Sequence, residues 1–261
     1  MTAAPVRIIG GGITGLTLAL RLAERGLAVT VHEANPQLGG LSAETRMAGI
    51  PVERFYHCVL PGDASLLALF GQLGLAEAVG WTRTRTGFFH DGRLMEMTTT
   101  ADFFRFPGLR LADRLRLAWT VGWCALNKNW RRLDGVPIGT FLRRHSGSRL
   151  FQALWEPLLL AKLGPDYDRF SATFIWATIL RMLSARRAAG KSEQLGFVRG
   201  RYGRVFRALN QALQARGGSV VLDTGVRGLR PPGAGGRNWS RLNDSEAPAS
   251  GVVLCVPAPV A

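Results

Sequence analysis

Apolar positions along the chain change period twice. Val6–Ile9 is a short β-branched run that enters a glycine cluster, as a buried parallel strand does. Leu16, Leu20, Ala23 and Leu27 then keep helical spacing, with Gly26 where a C-terminal cap belongs. Ala28–Glu33 reads as a second strand, which makes the first 33 residues one βαβ unit. Asp63 or Ser65 opens a helix whose face is Leu66, Phe70 and Leu73, ending at Gly74. Gly87–Met97 alternates around Asp91-Gly92, a hairpin signal. From Leu111 to Arg187 the period is helical: Leu111–Asn127, Pro137–His145, Leu150–Leu163 stopped by Gly164-Pro165, and Ser171–Arg187 with Ile175, Ile179 and Met182 on one face. A helix over Tyr202–Ala215 turns Val205, Leu209 and Leu213 inward. Gly217-Gly218 then leads into strands at Ser219–Asp223 and Val226–Leu229, a Pro/Gly loop at Pro231–Gly236, and a last strand at Gly251–Val256.

This order, α/β, then mostly α, then α/β again, predicts an α/β fold in which a discontinuous nucleotide-binding domain, residues 1–80 and 195–261, is interrupted by a mostly helical insertion, residues 81–194. A chain of 261 residues with 47% hydrophobic and 20% charged content has enough apolar surface for a real core, which excludes intrinsic disorder and a disulfide-stapled miniprotein. No segment reaches the ~20 apolar residues of a membrane-spanning helix. Cys58, Cys124 and Cys255 are widely spaced and form no ligand cluster with the four histidines, so no metal site is expected and a reducing, cytoplasmic location is.

The chemistry is carried by Gly10-Gly11-Gly12-Ile13-Thr14-Gly15, a G-x-G-x-x-G pattern lying directly after a strand and opening a helix. Gly10 permits the tight turn, Gly12 lets backbone approach a pyrophosphate, and Gly15 allows the helix to pack closely on the strand. Glu33, 18 residues after Gly15 at the end of the second strand, can accept both ribose hydroxyl protons and disfavours a 2′-phosphate. That leaves NAD or FAD.

The next residues, Glu33-Ala34-Asn35-Pro36-Gln37-Leu38-Gly39-Gly40, resemble the extended FAD fingerprint of the flavin amine oxidase, phytoene desaturase and protoporphyrinogen oxidase superfamily. Gly49-Ile50-Pro51-Val52-Glu53 with His57, and Gly200-Arg201-Tyr202-Gly203 with its helix, the Gly-Gly-led strand and Val226, resemble later segments of the same family. The resemblance implies a Rossmann-like FAD-binding domain with a helical substrate domain, and FAD as cofactor. It assigns cofactor contacts to Gly10, Gly12, Ile13, Thr14, Gly15, Glu33, Ala34, Gly39, Gly40, Leu41 and Val226, the last through its backbone to adenine. His57 and Tyr202 are the candidate substrate residues, and no catalytic residue is assigned. The implied activity is hydride transfer from a C–H or N–H bond of an amine, polyisoprenoid or porphyrin-like substrate to flavin N5. The alternatives are a flavin-dependent nucleotide-sugar mutase and an inactive truncated remnant.

Three positions depart from the family pattern: Leu41 stands where many relatives have a basic residue, and Phe55 and Arg201 where relatives often have glycine. The family's second FAD segment, a glycine-aspartate motif leading into a helix, has no counterpart before Ala261, so the expectation is a C-terminally truncated chain that binds FAD poorly by itself. Lys162 and Lys191 fall in no matched motif and read as solvated lysines.

The formal charge of +15 is local: residues 105–149 carry ten basic and two acidic side chains, residues 181–207 eight and one, while residues 1–104 are close to neutral. Nucleic acid is a poor explanation, because no binding module is present and lysine is nearly absent. The small-molecule substrate is instead expected to be lipophilic or anionic. Phe103, Phe104, Phe106, Leu109, Leu111, Leu115 and Trp119, interleaved with Arg105, Arg110, Arg114 and Arg116, form either a basic amphipathic surface for anionic lipid, in peripheral contact with the cytoplasmic membrane face, or a core helix with an arginine-rich outer face.

Overall fold

The structure, a computed structural model, describes residues 4–85, 87–90, 92–96, 102, 108–188, 194–230, 241–242 and 249–257. It comprises two compact units, Met1–Val59 with Ala64–Gly80 and Phe197–Ala261, and Leu60–Asp63 with Trp81–Gly196.

In the first unit β1 (Val6–Ile9), α1 (Ile13–Ala23) and β2 (Val29–His32) form the βαβ element, followed by the antiparallel pair β3 (Glu44–Met47) and β4 (Ile50–Glu53) and by α2 (Ala64–Gln72). In the second, β5 (Gly87–His90) and β6 (Arg93–Glu96) pair antiparallel and precede α3 (Leu111–Leu126), α4 (Ile138–Ser146), α5 (Glu156–Leu163) and α6 (Ala172–Ala188). The chain returns to the first unit with α7 (Arg201–Gln214), β7 (Ser219–Val221) and β8 (Gly251–Leu254).

The central sheet has the order β8-β1-β2-β7, and every pairing in it is parallel. The register aligns Val253, Ile8, Val31 and Val220 in one row across the four strands. Because side chains alternate along a strand, that row shares one face, and it meets the buried residues Leu16, Ala19 and Leu20 of α1 and Val205, Leu209 and Leu213 of α7 in a single core. The opposite face carries Arg7 and His32, both buried.

The second unit has its own core, built from Ile138, Phe141 and Leu142 of α4, Leu159 of α5, and Ile175 and Ile179 of α6. Its buried polar groups form a chain. The Trp155 indole donates to Ser146 Oγ at 2.9 Å, Ser146 lies 3.0 Å from Thr120 Oγ1, and Thr120 donates to the Arg116 carbonyl at 2.8 Å. The Trp176 indole donates to the carbonyls of Cys124 and Asn127 at the end of α3. These bonds fix which side of α3 faces inward.

Several sequence expectations change. The helix α1 ends at Ala23, and the chain closes with bonds from Gly26 N–H to Ala23 O and from Leu27 N–H to Leu22 O, with Gly26 at a φ of 77°. Gly26 is therefore the expected left-handed cap, but Leu27 lies beyond it and is exposed rather than on the core face. Residues 222–228 form no strand, and only Leu229–Arg230 pairs, with Arg241–Leu242. The Thr224 N–H donates to the Glu33 carbonyl at 2.8 Å, which draws this segment across the end of β2 instead of along a ladder. The helix expected at Leu150–Leu163 starts at Ser148 and carries a π-helical turn over Phe151–Trp155 before α5. Met97, Asp91, the Pro231–Gly236 loop and Phe103, Phe104 and Phe106 lie outside the described residues.

Candidate functional site

The expected site residues converge at the carboxyl ends of β1 and β2. Gly10 follows β1 at a φ of 112°, donates its N–H to the His32 carbonyl at 2.8 Å, and has no room for a side chain, since a Cβ there would sit 2.5 Å from the Cys255 carbonyl oxygen. Gly15 is equally constrained: its Cβ would lie 2.0 Å from the Gly10 carbonyl oxygen, so only glycine lets α1 start this close to the turn. Gly12 differs, because a Cβ there would meet nothing within 4 Å. It is the N-cap of α1, without a side-chain cap, and the first turn holds no acidic residue. Ile13 is half-buried and Thr14 exposed on that turn. The N-terminal end of α1 thus opens onto free space at Gly12, with no acidic side chain in its own first turn to offset its positive dipole end.

The second glycine pair lies against the first. Gly39 donates its N–H to the Gly11 carbonyl at 3.0 Å and bridges Gly12 as a parallel partner. A Cβ on Gly40, at a φ of 56°, would sit 3.4 Å from Gly12 Cα. Leu41 follows, exposed, on the turn Gly40–Ser42.

Glu33 is buried, and both of its carboxylate oxygens are engaged. Oε2 accepts the Gly11 N–H at 2.7 Å; Oε1 accepts the Asn35 N–H at 2.9 Å and the Asn35 side-chain amide at 2.6 Å. A carboxylate offers about four lone-pair positions. With the Asn35 amide where it stands, the open one is on Oε2, so accepting both ribose hydroxyls requires that amide to swing away. The two-hydroxyl expectation therefore holds only with a side-chain rearrangement that sequence reading did not foresee. Beside Glu33, Ala34 is exposed, and a Cβ on Gly225 would lie 3.8 Å from Ala34 Cβ, which brings Val226 within one residue of it.

The candidate substrate residues also meet. His57 Nδ1–H donates to the Phe55 carbonyl at 2.8 Å, which leaves Nε2 to accept from the Ser42 hydroxyl at 3.1 Å. The Tyr202 ring is tilted against His57 at 5.4 Å and otherwise buried beside Phe70 and Phe206. Two carboxylates hold the start of α7: Glu53 Oε1 accepts the Tyr202 N–H and Glu44 Oε1 the Gly203 N–H. Arg201 there has a φ of 63°, the left-handed region that favours glycine, which is a physical reason for glycine at this place.

Sequence reading missed Gly11, Asn35, Ser42 and Glu44. Gly11 had a visible signal, three consecutive glycines; in the structure its Cβ would meet Leu38 at 2.6 Å and Glu33 at 3.0 Å. The other three act through partners that no local pattern specifies. Lys162 is exposed at the end of α5, and Lys191 lies outside the described residues. Burial pushes the Cys124 thiol up to about 11 and raises Cys255, so both stay protonated near neutrality. Among the described residues no group of histidine, cysteine or carboxylate side chains is arranged to hold a metal ion, and no helix is long and apolar enough to cross a membrane.

An open, uncapped helix start, a second glycine turn pressed against it and a buried acid at the end of β2 fit the pyrophosphate and ribose of a dinucleotide. The chain matches the family described as flavin containing amine oxidoreductase over residues 13–261. It is 26% identical over 250 residues to the "Probable zeta-carotene desaturase" of Synechococcus elongatus, covering 85% of this chain and 50% of that protein. It is 30% identical over 276 residues to the hydroxysqualene dehydroxylase of Rhodopseudomonas palustris, covering 97% and 61%. The chain therefore spans between 50% and 61% of the length of these two curated relatives. The solved structure of putrescine oxidase bound to putrescine shares the fold, with a TM-score of 0.71 at 20% identity over 98% of this chain and 58% of that one.

Proposed function

Because this chain belongs to the family of flavin containing amine oxidoreductases, we propose that its first unit holds the ADP half of FAD and that the whole protein is an FAD-dependent oxidoreductase. The observation that carries the reading is the start of α1, free of caps and acids, bracketed by Gly12 on one side and Gly39–Gly40 on the other. In this reading the N–H groups of Ile13, Thr14 and Gly15 face the pyrophosphate, whose charge the helix start favours. Gly10 and Gly15 keep the turn tight enough for that approach, and Leu41 closes the second turn with no cation. Glu33 takes a ribose hydroxyl on its open Oε2 position and, once Asn35 moves, a second on Oε1. Ala34 and the backbone of Val226 flank the adenine. His57, held in one tautomer by Phe55 and Ser42, presents a fixed ring edge backed by Tyr202, and is assigned to substrate positioning.

When bound, the flavin supplies hydride acceptance at N5. The chain's task is then to hold a C–H or N–H bond of the substrate in place and exclude water, which needs no dedicated acid or base. Of the amine, polyisoprenoid and porphyrin-like classes, the polyisoprenoid class is the first to test, since both curated relatives above are named for carotene or squalene compounds, with amines next on the likeness to putrescine oxidase.

The cofactor assignment is tested by titrating the chain with ADP and with FAD, before and after Gly12→Asp. A side chain at position 12 meets open space and aspartate is a good N-cap, so the variant melts no lower than the parent. Its carboxylate stands where the pyrophosphate belongs, so ADP binding falls by about tenfold or more. Unchanged ADP affinity in a folded variant rejects the assignment. For the reaction, anaerobic mixing of the flavin-loaded protein with each substrate class reads net flavin reduction; a flavin spectrum untouched by all three classes argues against the oxidoreductase reading.

A further inference from the structure

Helix α3 packs Leu117, Val121 and Trp123 against the core of its unit, yet it also leaves a second set of large apolar side chains outward. Asp113, Thr120 and Cys124 are buried, whereas Leu111 is 68% exposed, Leu115 62%, Trp119 64% and Leu126 83%. The spacing 111, 115, 119, 122, 126 confines these four and Gly122 to an arc of about 80° on a helix of 3.6 residues per turn. The inward side is fixed by the Thr120–Ser146–Trp155 hydrogen-bond chain and by the ion pair of Asp113 with Arg149, so the outward face is not a matter of choice between two packings. The helix thus has features of both sequence readings: Leu117, Val121 and Trp123 join the core, while its outward face carries Leu111, Leu115, Trp119 and Leu126 as well as the exposed Arg116. A shallow groove of about 390 Å³ opens along it at Gly122, lined by Ala118, Trp119, Trp123 and Leu126.

The sequence in and just after this helix is strongly basic. Between residues 110 and 132 the sequence holds Arg110, Arg114, Arg116, Lys128, Arg131 and Arg132 against the single acid Asp113, which is buried and engaged with Arg149 and the Arg110 N–H. By helical spacing Arg114 and Arg116 stand on opposite flanks of the apolar arc. An apolar stripe with tryptophan in it and cations along both edges suits the boundary between acyl chains and anionic headgroups. A second copy of the chain fits poorly, since each copy carries the same excess of positive charge.

We propose that the outward face of α3 docks the protein on the surface of a bilayer containing anionic lipid, with Leu111, Leu115, Trp119 and Leu126 entering the interface and the flanking arginines meeting the headgroups. The helix has 16 residues and lies in the plane of the surface rather than crossing it.

Cosedimentation with vesicles tests this, using phosphatidylcholine alone and an equal mixture with phosphatidylglycerol. The chain partitions onto the mixed vesicles, less onto the neutral ones, and less again as salt is raised. The double variant Leu115→Gln/Trp119→Gln alters only exposed side chains, so it melts like the parent, yet its partition onto mixed vesicles drops by about tenfold or more. Leu158→Gln/Leu160→Gln, which removes exposed leucines from α5, leaves partition unchanged and controls for general stickiness. Equal partition of the α3 variant and parent, binding indifferent to phosphatidylglycerol, or absence of binding to either vesicle overturns the proposal. So does a parent dimer that the α3 variant converts to monomer without any vesicle binding.

Discussion

His32 shows how one residue ties the site's scaffold to pH. It ends β2 immediately before Glu33, is buried, and accepts on Nε2 a hydrogen bond from Arg7 Nη1 at 3.3 Å, while its Nδ1 and Arg7 Nε are buried with no hydrogen-bond partner among the described residues. Burial first, and the Arg7 guanidinium second, hold its pKa below the ordinary 6.5. The folded state therefore binds this proton less readily than the unfolded chain. The linked stability is complete above pH 6.5 and is lost as pH falls below it, until the lowered folded-state value is reached. We expect thermal stability measured on either side of pH 6.5 to drop on the acid side, and His32→Gln, which can still accept from Arg7, to flatten that drop; an equally steep loss in the variant shows that other groups cause it. The role of His32 was not legible in the sequence, because it arises from a neighbour 25 residues away on the adjacent strand. The steric need for glycine at 10 and 15 was legible, because the φ of 112° at Gly10 and the Gly10 carbonyl that crowds Gly15 belong to the turn itself, although the Cys255 carbonyl that also crowds Gly10 does not. Glu33 was half legible: its position followed from strand length, but its capture by Gly11 and Asn35 did not.

Among the elements, the two helices on the central sheet separate what periodicity determines from what it only suggests. In α7 the pattern Val205, Leu209, Leu213 matches three fully buried side chains. In α1 the same kind of pattern extends one step too far, since Leu27 follows the left-handed turn at Gly26 that ends the helical geometry, and is 46% exposed. Spacing alone carries no information on where the backbone stops being helical, although the glycine itself did. Leucine-to-alanine substitution reads the difference directly. Leu209→Ala empties a site with no exposed surface between α7 and α1, and we expect a loss of about 2–5 kcal/mol in denaturant unfolding. Leu27→Ala is expected to change stability by no more than about 0.5 kcal/mol. Comparable losses at both positions would mean that Leu27 packs in the core after all. The missed strand at Val226–Leu229 has a different origin: a β-branched residue between Gly225 and Gly228 reads as extended chain, but the bond from Thr224 to the Glu33 carbonyl routes it past the nucleotide end of β2. A local propensity lost to one long-range hydrogen bond, and the same segment runs with Gly225, the residue before Val226, beside Ala34.

For the whole molecule, the formal charge of +15 sets fold and docking against each other in their response to salt. The excess lies in residues 105–149 and 181–207, where the acids are too few to neutralise it. Apart from Arg149–Asp113, whose acid is buried, the ion pairs found among the described residues are partly exposed, such as Arg143–Asp168 at 3.5 Å and Arg216–Glu24 at 3.9 Å, and pairs of this kind contribute about 0–1 kcal/mol each. Repulsion among the unneutralised charges is long-ranged and spread over many arginines, so screening should relieve more repulsion than it removes attraction. We expect the melting temperature to rise as sodium chloride is added, with most of the gain complete near 0.1 M, where the Debye length is about 10 Å. A melting temperature that falls with salt would mean that the ion pairs outweigh the repulsion. Vesicle partition through α3 should move the other way over the same range, since its arginines lose their hold on anionic headgroups as salt increases. The opposite signs make a single salt titration informative: binding lost while the fold gains stability cannot be ascribed to unfolding, and the charge that strains the folded chain is then the same charge that attaches it to a surface.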